Sequence, residues 1–494
     1  MTKLKEKKIK IIHIVLLVFG TAFLASGAFH SSLWFDESYT VGLIKHNMFD
    51  MCRIATYDVH PHFYYILLKL FSYIFGSSII ALRLFSVLGS CLLALLGYTH
   101  IRKDFCDKTG FWFSFFVLFM PSTFKYALQI RMYTWAPLLV TLAAIYAYRM
   151  ILQEKNSAKN TSLFVIFSIM SAYSHYYALM AVAIINIILF VYYKFNGLKL
   201  SKWFKMAVIQ IVLFIPGMYV FIVQMKLDGA NWITVKYPNI LFDTITFNFL
   251  GVPLSDVSDT SAIYKISLCV GICIFVLFGF LLIQMRKNKK ENTKPVFLAL
   301  IIYFGVIIVF LIVSLFRPIY YVRYSIVSYG LLLFAFAYLL ARCNKAYLKL
   351  IIVVVLLGLS IIRAIPIYQE NYDASDIKID NYLQTNIQSG DIILFKDIAE
   401  FAISVKYQNV PTYFYNVGGW NVEDAYQAFG KNVIITRNLE ELKNFKGRIW
   451  VLGRDAAYGK IMSYAGTKEI SSEKINYKYY SKGNALEIVL IEKK

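Results

Sequence analysis

The chain has 494 residues, of which 59% are hydrophobic and only 16% are charged, and its mean hydropathy of +0.58 is strongly positive. This composition excludes an ordinary soluble protein and predicts that most of the chain lies among membrane lipids. The formal net charge is +22, but residues 367–494 contain about as many acidic as basic residues. The excess therefore belongs to the apolar part. No basic face or stacking motif accompanies it, so nucleic acid is not an expected partner.

Apolar runs long enough to cross a bilayer, which takes roughly 20 residues, recur from Ile9 to about Pro366. We predict roughly eleven transmembrane helices. Their approximate spans are 10–29, 79–101, 110–128, 133–151, 161–174, 176–193, 206–225, 263–285, 296–316, 325–341 and 350–366.

The positions of lysine and arginine predict the orientation, because short cytoplasmic loops retain positive charge during insertion. Five lysines lie within the first ten residues, at the start of the first span, which places the N-terminus in the cytoplasm. If the spans alternate from there, the basic loops fall on the same side each time. These loops are 102–108, 155–159, 194–205, 286–294 and 342–349. An odd number of crossings then places everything after residue 366 outside the cytoplasm.

The composition changes after Pro366, and we divide the chain into a transmembrane domain, 1–366, and an extracytoplasmic domain, 367–494. The second segment is long enough for its own core. Short apolar runs predict strands, and the IKIDNYLQTNIQ pattern predicts a helix, so a small α/β domain is expected. The predicted strands are 391–395, 409–416, 432–437, 448–453 and 485–492.

The first external loop, residues 30–78, contains Asp36, Glu37, Asp50 and Asp58. The stretch PHFYYILLKLFSYIFG in this loop is too apolar to be freely solvated, so we expect interfacial helices along the outer surface. A water-poor position raises the basicity of a carboxylate, as general-base catalysis requires. The competing interpretation is that these acids only cap the N-termini of helices.

Several strings in this part of the chain resemble a known group of enzymes. LWFDESYT (33–40) and DVHPHFYYILL (58–68) are similar to motifs of GT-C glycosyltransferases, the group that includes dolichyl-phosphate-mannose protein mannosyltransferases and bacterial lipid-A aminoarabinose transferases. The further strings LRLFS (82–86), QIRMYTW (129–135), SHYYAL (174–179) and RPIYYVRYSI (317–326) look like landmarks of the same group, in the same order. The resemblance covers residues 33–326 and implies a GT-C fold.

The resemblance implies an inverting transfer of a sugar from a polyprenyl-phosphate carrier to an acceptor hydroxyl. It makes Asp36 the catalytic base, Glu37 its supporting partner and Asp58 a further catalytic residue. The displacement also requires cations for the leaving phosphate, and arginine binds phosphate oxygens bidentately. The candidates near the outer surface are Arg131, Arg317, Arg323 and Lys125. Snorkelling to the interface is the alternative role for the arginines.

Three further residues, His60, His175 and Tyr324, are expected to shape the pocket. The histidines are interpreted as hydrogen-bonded pocket residues in preference to metal ligands. Nothing in the sequence requires a cofactor; a divalent metal is possible but unsupported, and metal dependence is left open. The sugar is unspecified, and the acceptor is left open between a protein, a cell-wall polymer and a glycolipid.

Two other classes of protein fit the composition. A lipid-linked-sugar transporter or flippase would carry ionisable groups near the membrane midplane, whereas the acids of this chain lie at predicted membrane edges. A non-catalytic membrane scaffold would give no reason for the acidic first loop. The enzyme interpretation is therefore preferred, and the absence of an organelle signal favours a bacterial plasma membrane.

Overall fold

The computed structural model describes residues 2–152, 158–227, 232–251, 262–287, 292–419, 421–477 and 485–494. A large helical part is followed by a small domain built on a β-sheet. The helices of the first part are α1 (Thr2–Ser26), α2 (Phe35–Leu43), α3 (Met48–Ala55), α4 (Phe63–Phe75), α5 (Ile79–Leu96), α6 (Arg102–Asp104), α7 (Asp107–Phe119), α8 (Pro121–Ala127), α9 (Trp135–Leu152), α10 (Ala158–Ala172), α11 (Tyr176–Phe195), α12 (Leu200–Met225), α13 (Asn239–Leu250), α14 (Ala262–Lys287), α15 (Lys294–Val313), α16 (Tyr329–Arg342) and α17 (Ala346–Asn371).

Eight helices in the described part of the chain are long and apolar enough to cross a membrane. They are α1, α5, α11, α12, α14, α15, α16 with the turn before it, and α17. Each coincides with a predicted span. The protein is therefore a multi-pass membrane protein, which confirms the helical membrane architecture expected from the sequence.

The other three predicted spans form shorter helices. The span 110–128 was wrong as a continuous helix, since α7 ends at Phe119 and α8 begins at Pro121. Proline fits the first position of a helix but lacks the N–H that would continue the preceding one. The spans 133–151 and 161–174 correspond to α9 and to the 15-residue α10. Residues 153–157 and 288–291, which hold Lys155, Lys289 and Lys290 of the predicted basic loops, lie outside the described residues.

The first external loop contains three helices, as its apolar character predicted. Helix α2 has two acids in its first turn, and the Asn47 side chain caps α3 by accepting from the Asp50 amide at 2.9 Å. Helix α4 begins just after the DVHP string and buries Tyr64, Tyr65 and Leu68 against the bundle. Asp36, Glu37 and Asp50 thus lie in the first turns of short helices.

The second part is an α/β domain. It has strands β1 (Ile392–Phe395), β2 (Thr412–Tyr415), β3 (Val433–Thr436), β4 (Gly447–Leu452), β5 (Thr467–Asn476) and β6 (Ala485–Lys493), with helices α18 (Ser375–Asn386), α19 (Phe401–Ser404), α20 (Glu423–Tyr426) and α21 (Ala456–Met462). The strand order is β3-β2-β1-β4-β6-β5. Strands β1 to β4 are parallel to one another. Strand β6 pairs antiparallel with β4, and β5 pairs antiparallel with β6.

All five predicted strands and the predicted helix are present, but β5 was missed. Its sequence, TKEISSEKIN, shows little apolar alternation because it is an edge strand with most side chains exposed. Two helices also differ from expectation. Helix α17 continues five residues beyond the predicted end at Pro366, and α13 was not predicted.

The β-sheet domain packs closely on α2. The Phe35 ring lies 5.5 Å from Phe429 and 5.8 Å from Tyr426. Gly42 makes the closest approach, because a Cβ atom there would stand 2.4 Å from the carbonyl oxygen of Ala428. The Lys45 ammonium donates to the carbonyl of Val405 at 3.2 Å. Helix α2 is therefore held between the membrane helices and the β-sheet domain.

Candidate active site

The first turn of α2 presents two adjacent carboxylates in different surroundings. Glu37 is 3% exposed, and both of its oxygens accept from Nη2 of Arg83 at 3.2 Å. Its Oε1 also accepts from the Ile130 amide at 3.0 Å, and its Oε2 from the Trp34 amide at 3.4 Å. The Glu37 carboxylate is thus committed to contacts that fix the start of α2.

Arg83 is a buried residue of this group that the sequence analysis did not single out. Its guanidinium is 1% exposed and donates to the carbonyls of Leu128, His30 and Ser32 at 2.8–2.9 Å, in addition to Glu37. Arg83 lies in the LRLFS string, which was noted only as a landmark. The available signal was a cation inside an otherwise apolar run, since a buried charge requires paired and hydrogen-bonded partners.

Asp36 faces a different cation. Its Oδ2 lies 3.4 Å from Nη2 of Arg323, and the two side chains are 18% and 13% exposed. Aromatic rings surround the Arg323 guanidinium with centroids 4.9–5.9 Å away, an arrangement that favours a cation. The rings belong to Trp34, Tyr133, Trp232, Tyr321 and Tyr324.

Arg131 connects Asp36 to Asp58. Its Nη1 donates to the Asp36 carbonyl at 3.3 Å, to the Thr40 hydroxyl at 3.2 Å and to the Tyr65 hydroxyl at 3.2 Å. Tyr65 in turn donates to Oδ2 of Asp58 at 2.9 Å. Burial raises the pKa of the Asp58 carboxyl, and the Arg131 guanidinium opposes that rise. The structure therefore joins the two acidic motifs of the first loop through one buried arginine.

Two neutral histidines lie beside this group. The rings of His60 and His175 are 5.2 Å apart, and Tyr324 lies 6.0 Å and 5.1 Å from them. Burial, with repulsion from Arg131 and Arg323, lowers the pKa of His175 to about 3 and that of His60 well below its usual value. Both imidazoles therefore stay uncharged at neutral pH and add no further positive charge.

Several buried polar atoms around Asp36 have no hydrogen-bond partner among the described residues. They are Arg131 Nε, Arg323 Nε, His175 Nε2, Tyr133 Oη and Trp34 Nε1. Unpaired buried donors are costly, and each one in a folded protein requires an explanation. Here they surround an acid, two guanidinium groups and two imidazoles. The group therefore has unused capacity for a bound anionic, oxygen-rich ligand.

One of the predicted phosphate-binding residues, Arg317, is placed differently. Arg317 donates to the carbonyls of Met225 at 2.7 Å and Leu227 at 3.3 Å, at the end of α12. Lys125 is half-buried in the last turn of α8. Within the described residues, no group of three or more His, Cys, Asp or Glu side chains is arranged to hold a metal ion.

The fold is that of a multi-pass membrane protein with a helical part and an appended α/β domain. The crystal structure of ArnT from Cupriavidus metallidurans bound to undecaprenyl phosphate is similar to the chain, with a TM-score of 0.61 and 11% identity over 97% of both chains. The apo structure of the same protein has a TM-score of 0.57 and 12% identity over the same shares. The chain thus has the fold of ArnT, which confirms the GT-C fold expected from the sequence.

No protein-family model matches the sequence, and no curated protein matches it.

Proposed function

We propose that the protein is an inverting glycosyltransferase that moves a sugar from a polyprenyl-phosphate carrier to an acceptor hydroxyl. The observation that carries this proposal is the Asp36 carboxylate held 3.4 Å from Arg323, within a group of buried donors that have unused hydrogen bonds. An in-line displacement at a sugar needs a base on one side and donors for the leaving phosphate on the other. The similar fold of ArnT, solved with undecaprenyl phosphate, agrees with this donor class.

The ion pair between Asp36 and Arg323 suggests how the base becomes active. When the carrier phosphate binds, Arg323 turns toward it, because a phosphate accepts bidentately from guanidinium. Asp36 then loses its ion-pair partner, and its carboxylate is available to the proton of the acceptor hydroxyl. The acceptor oxygen bonds to the anomeric carbon while its proton passes to Asp36. The bond from the anomeric carbon to the phosphate oxygen breaks, and its electron pair leaves with the polyprenyl phosphate, which Arg323 and Arg131 stabilise.

The remaining residues position these groups. Glu37, through Arg83 and the Ile130 amide, fixes the backbone that carries Asp36. Asp58 orients Tyr65, and Tyr65 in turn accepts from Arg131, so that Asp58 helps to hold the Arg131 guanidinium in place. The neutral histidines and Tyr324 form a wall that excludes water without adding charge. We therefore assign Asp36 to proton transfer and Glu37, Asp58 and Arg83 to positioning.

The topology and location follow from the proposed donor. We propose a cytoplasmic N-terminus, an extracytoplasmic domain from residue 367 to 494 and a site at the outer face of a bacterial plasma membrane. The acceptor could then be a protein hydroxyl, a cell-wall polymer or a glycolipid.

The proposal is tested by replacing Asp36 with asparagine in purified protein reconstituted in nanodiscs. Loss of a general base should lower transfer from undecaprenyl-phosphate mannose, glucose or aminoarabinose by about 100-fold or more. Binding of undecaprenyl phosphate should stay equal or become tighter, because Arg323 is released. Asp50→Asn is the matched control, since Asp50 lies in the same loop and its carboxylate contacts the Asn47 side-chain amide at 2.7 Å and Arg53 at 3.7 Å, not the arginines beside Asp36.

Near-normal transfer by Asp36→Asn would overturn the assignment of the base. The Glu37→Gln variant separates the two acids, since it should lower the melting temperature as well as the transfer rate, whereas Asp36→Asn should leave the melting temperature almost unchanged.

A further inference from the structure

The β-sheet domain contains a cavity of about 220 Å³, which opens at the ends of its parallel strands. The residues that follow β1, β2 and β4 line it, and Phe414 and Ile398 form its apolar part. Its polar lining comes from Lys396, Asp397, Asn416 and Asp455. None of these residues belongs to the Asp36 group.

The position of this cavity follows from the order of the strands. The chain leaves β1 toward β2 and β3 on one side, and it returns to β4 on the other side of β1. The loops after β1 and β4 therefore turn in opposite directions and leave a crevice at their carboxyl ends. In open α/β sheets this point, where the strand order reverses, is the usual place for a ligand.

Two carboxylates at the crevice are fixed by the backbone. Oδ1 of Asp397 accepts from the Ala399 amide at 3.0 Å, and Oδ1 of Asp455 accepts from the Ala457 amide at 2.7 Å. Each aspartate caps the helical segment that follows its strand. Both side chains are thereby held in place before any ligand arrives, which reduces the entropy lost on binding.

Lys396 supplies a donor at the same place. Its side chain is half-buried, and its ammonium makes no hydrogen bond or ion pair with any residue that the structure describes. Two aspartates and an amide supply acceptors, and Tyr415 adds an aromatic ring at the wall. One small cavity is therefore lined by a donor, several acceptors and an aromatic ring.

These properties select among ligand classes. Two aspartates against one lysine leave the lining with a net negative charge, which disfavours a phosphate or a nucleotide. A cavity of 220 Å³ is smaller than the roughly 300–1,000 Å³ of sites for drug-sized ligands. A single sugar ring matches this size and offers several hydroxyl groups, each of which both donates and accepts.

We propose that this cavity binds one sugar residue of a glycan, at a site separate from the Asp36 group. The site is a binding site only, and no chemistry is assigned to it. It does not depend on sugar transfer by the membrane domain. In the assembled protein it would hold a glycan beside the outer surface of the membrane helices.

The test uses the full chain in nanodiscs and ligand-observed NMR with the methyl glycosides of mannose, glucose, galactose and N-acetylglucosamine, and with inorganic phosphate. At least one glycoside should bind at millimolar concentrations, and phosphate should not displace it. Asp397→Asn and Asp455→Asn keep the helix caps, because asparagine caps as well as aspartate. Together with Lys396→Met, they should each weaken binding about tenfold, the loss expected for a hydrogen bond to a charged group.

Two controls separate this site from the rest of the protein. Asp424→Asn removes an exposed acid of the same domain and should leave binding unchanged, as should Asp36→Asn. Failure of every glycoside to bind the wild type would overturn the proposal. So would competition by phosphate, or binding that is lost in Asp36→Asn and retained in the three cavity variants. If transfer also fails in Asp36→Asn while glycoside binding persists, both proposals stand independently.

Discussion

Arg323 and Arg317 lie six positions apart in one motif, yet the structure gives them different surroundings. Arg323 contacts Asp36 and lies among five aromatic rings, whereas Arg317 is bound to two backbone carbonyls at the end of α12. The charge available to a phosphate beside Asp36 therefore comes from Arg323 and Arg131. The sequence alone does not distinguish the roles of these two arginines, because both lie in the short segment that precedes α16.

This difference predicts unequal effects on donor binding. Arg323→Ala should weaken the binding of undecaprenyl phosphate by about 10- to 100-fold, the usual range for a charge-assisted hydrogen bond. Arg323→Lys should recover little of the loss, since lysine lacks the planar fork. Arg317→Ala is the matched control and should leave the dissociation constant close to wild type. Equal losses in Arg317→Ala and Arg323→Ala would return Arg317 to the phosphate site.

His175 predicts a dependence of stability on acid. The imidazole binds a proton near pH 6.5 in the unfolded chain but only near pH 3 in the folded protein. Between these values the unfolded state holds more protons, so the stability contributed by neutral His175 is complete above pH 6.5 and is lost as the pH falls. The loss reaches about 2 kcal/mol at pH 5.

His175→Asn removes this titration and keeps the cap of α11, where His175 Nδ1 accepts from the Tyr177 amide at 3.1 Å. Melting temperatures of the variant and the wild type should therefore converge, or change order, between pH 7.5 and pH 5. A constant difference across that range would show that His175 does not titrate in this way.

Among the elements, helix α2 has contacts with distant parts of the chain that no local pattern reveals. Its apolar and acidic residues predicted a surface helix, and the first loop does contain three helices. Its partners, however, are Arg83 at one end and Phe429 and Ala428 on its outer side, 46 and almost 400 positions away. Such distant pairs leave no periodicity in the sequence, and without them Arg83 and the sheet-domain contact could not be predicted.

The same limit explains the errors in other elements. Helices with a continuous apolar stretch and strands with buried sides were predicted because burial requires those patterns. Edge strand β5 has mostly exposed side chains, and its position is fixed by pairing with β6. In the candidate site, Asp36, Asp58, Arg131, Arg323, His60, His175 and Tyr324 lie together, whereas Arg317 binds the end of α12. Their roles in catalysis stay predictions.

Gly42 tests the packing of α2 directly. In Gly42→Ala the new Cβ would stand 2.4 Å from the Ala428 carbonyl and 3.0 Å from Cα of Phe429, so backbone must move. Overpacking of this kind costs about 1–3 kcal/mol, and the melting temperature and the transfer rate should both fall. Gly358→Ala is the control, because a Cβ at Gly358 in α17 meets nothing within 4 Å. A variant at Gly42 that matches the control would show that the contact is unimportant.

At the scale of the whole molecule, the orientation in the membrane decides which solutes each part meets. We expect Ser472→Cys, on the exposed side of β5, to react with an impermeant thiol reagent in intact cells when all native cysteines have been replaced. Restoring only the exposed Cys106, in the loop between α6 and α7, should give labelling after lysis alone. The reverse pattern would invert the proposed topology.

The contacts of Arg83 also impose an order on the assembly of the protein during its synthesis. Residues 30–37, which supply three of its partners, leave the ribosome before Arg83, but Leu128 follows 45 positions later. We therefore expect helix α5 to enter the bilayer before Nε of Arg83 can donate to the Leu128 carbonyl. The segment from α7 to α9 completes the arrangement and fixes the start of α2. The geometry around Asp36 is thus established only when the membrane helices on both sides of the first loop have been inserted.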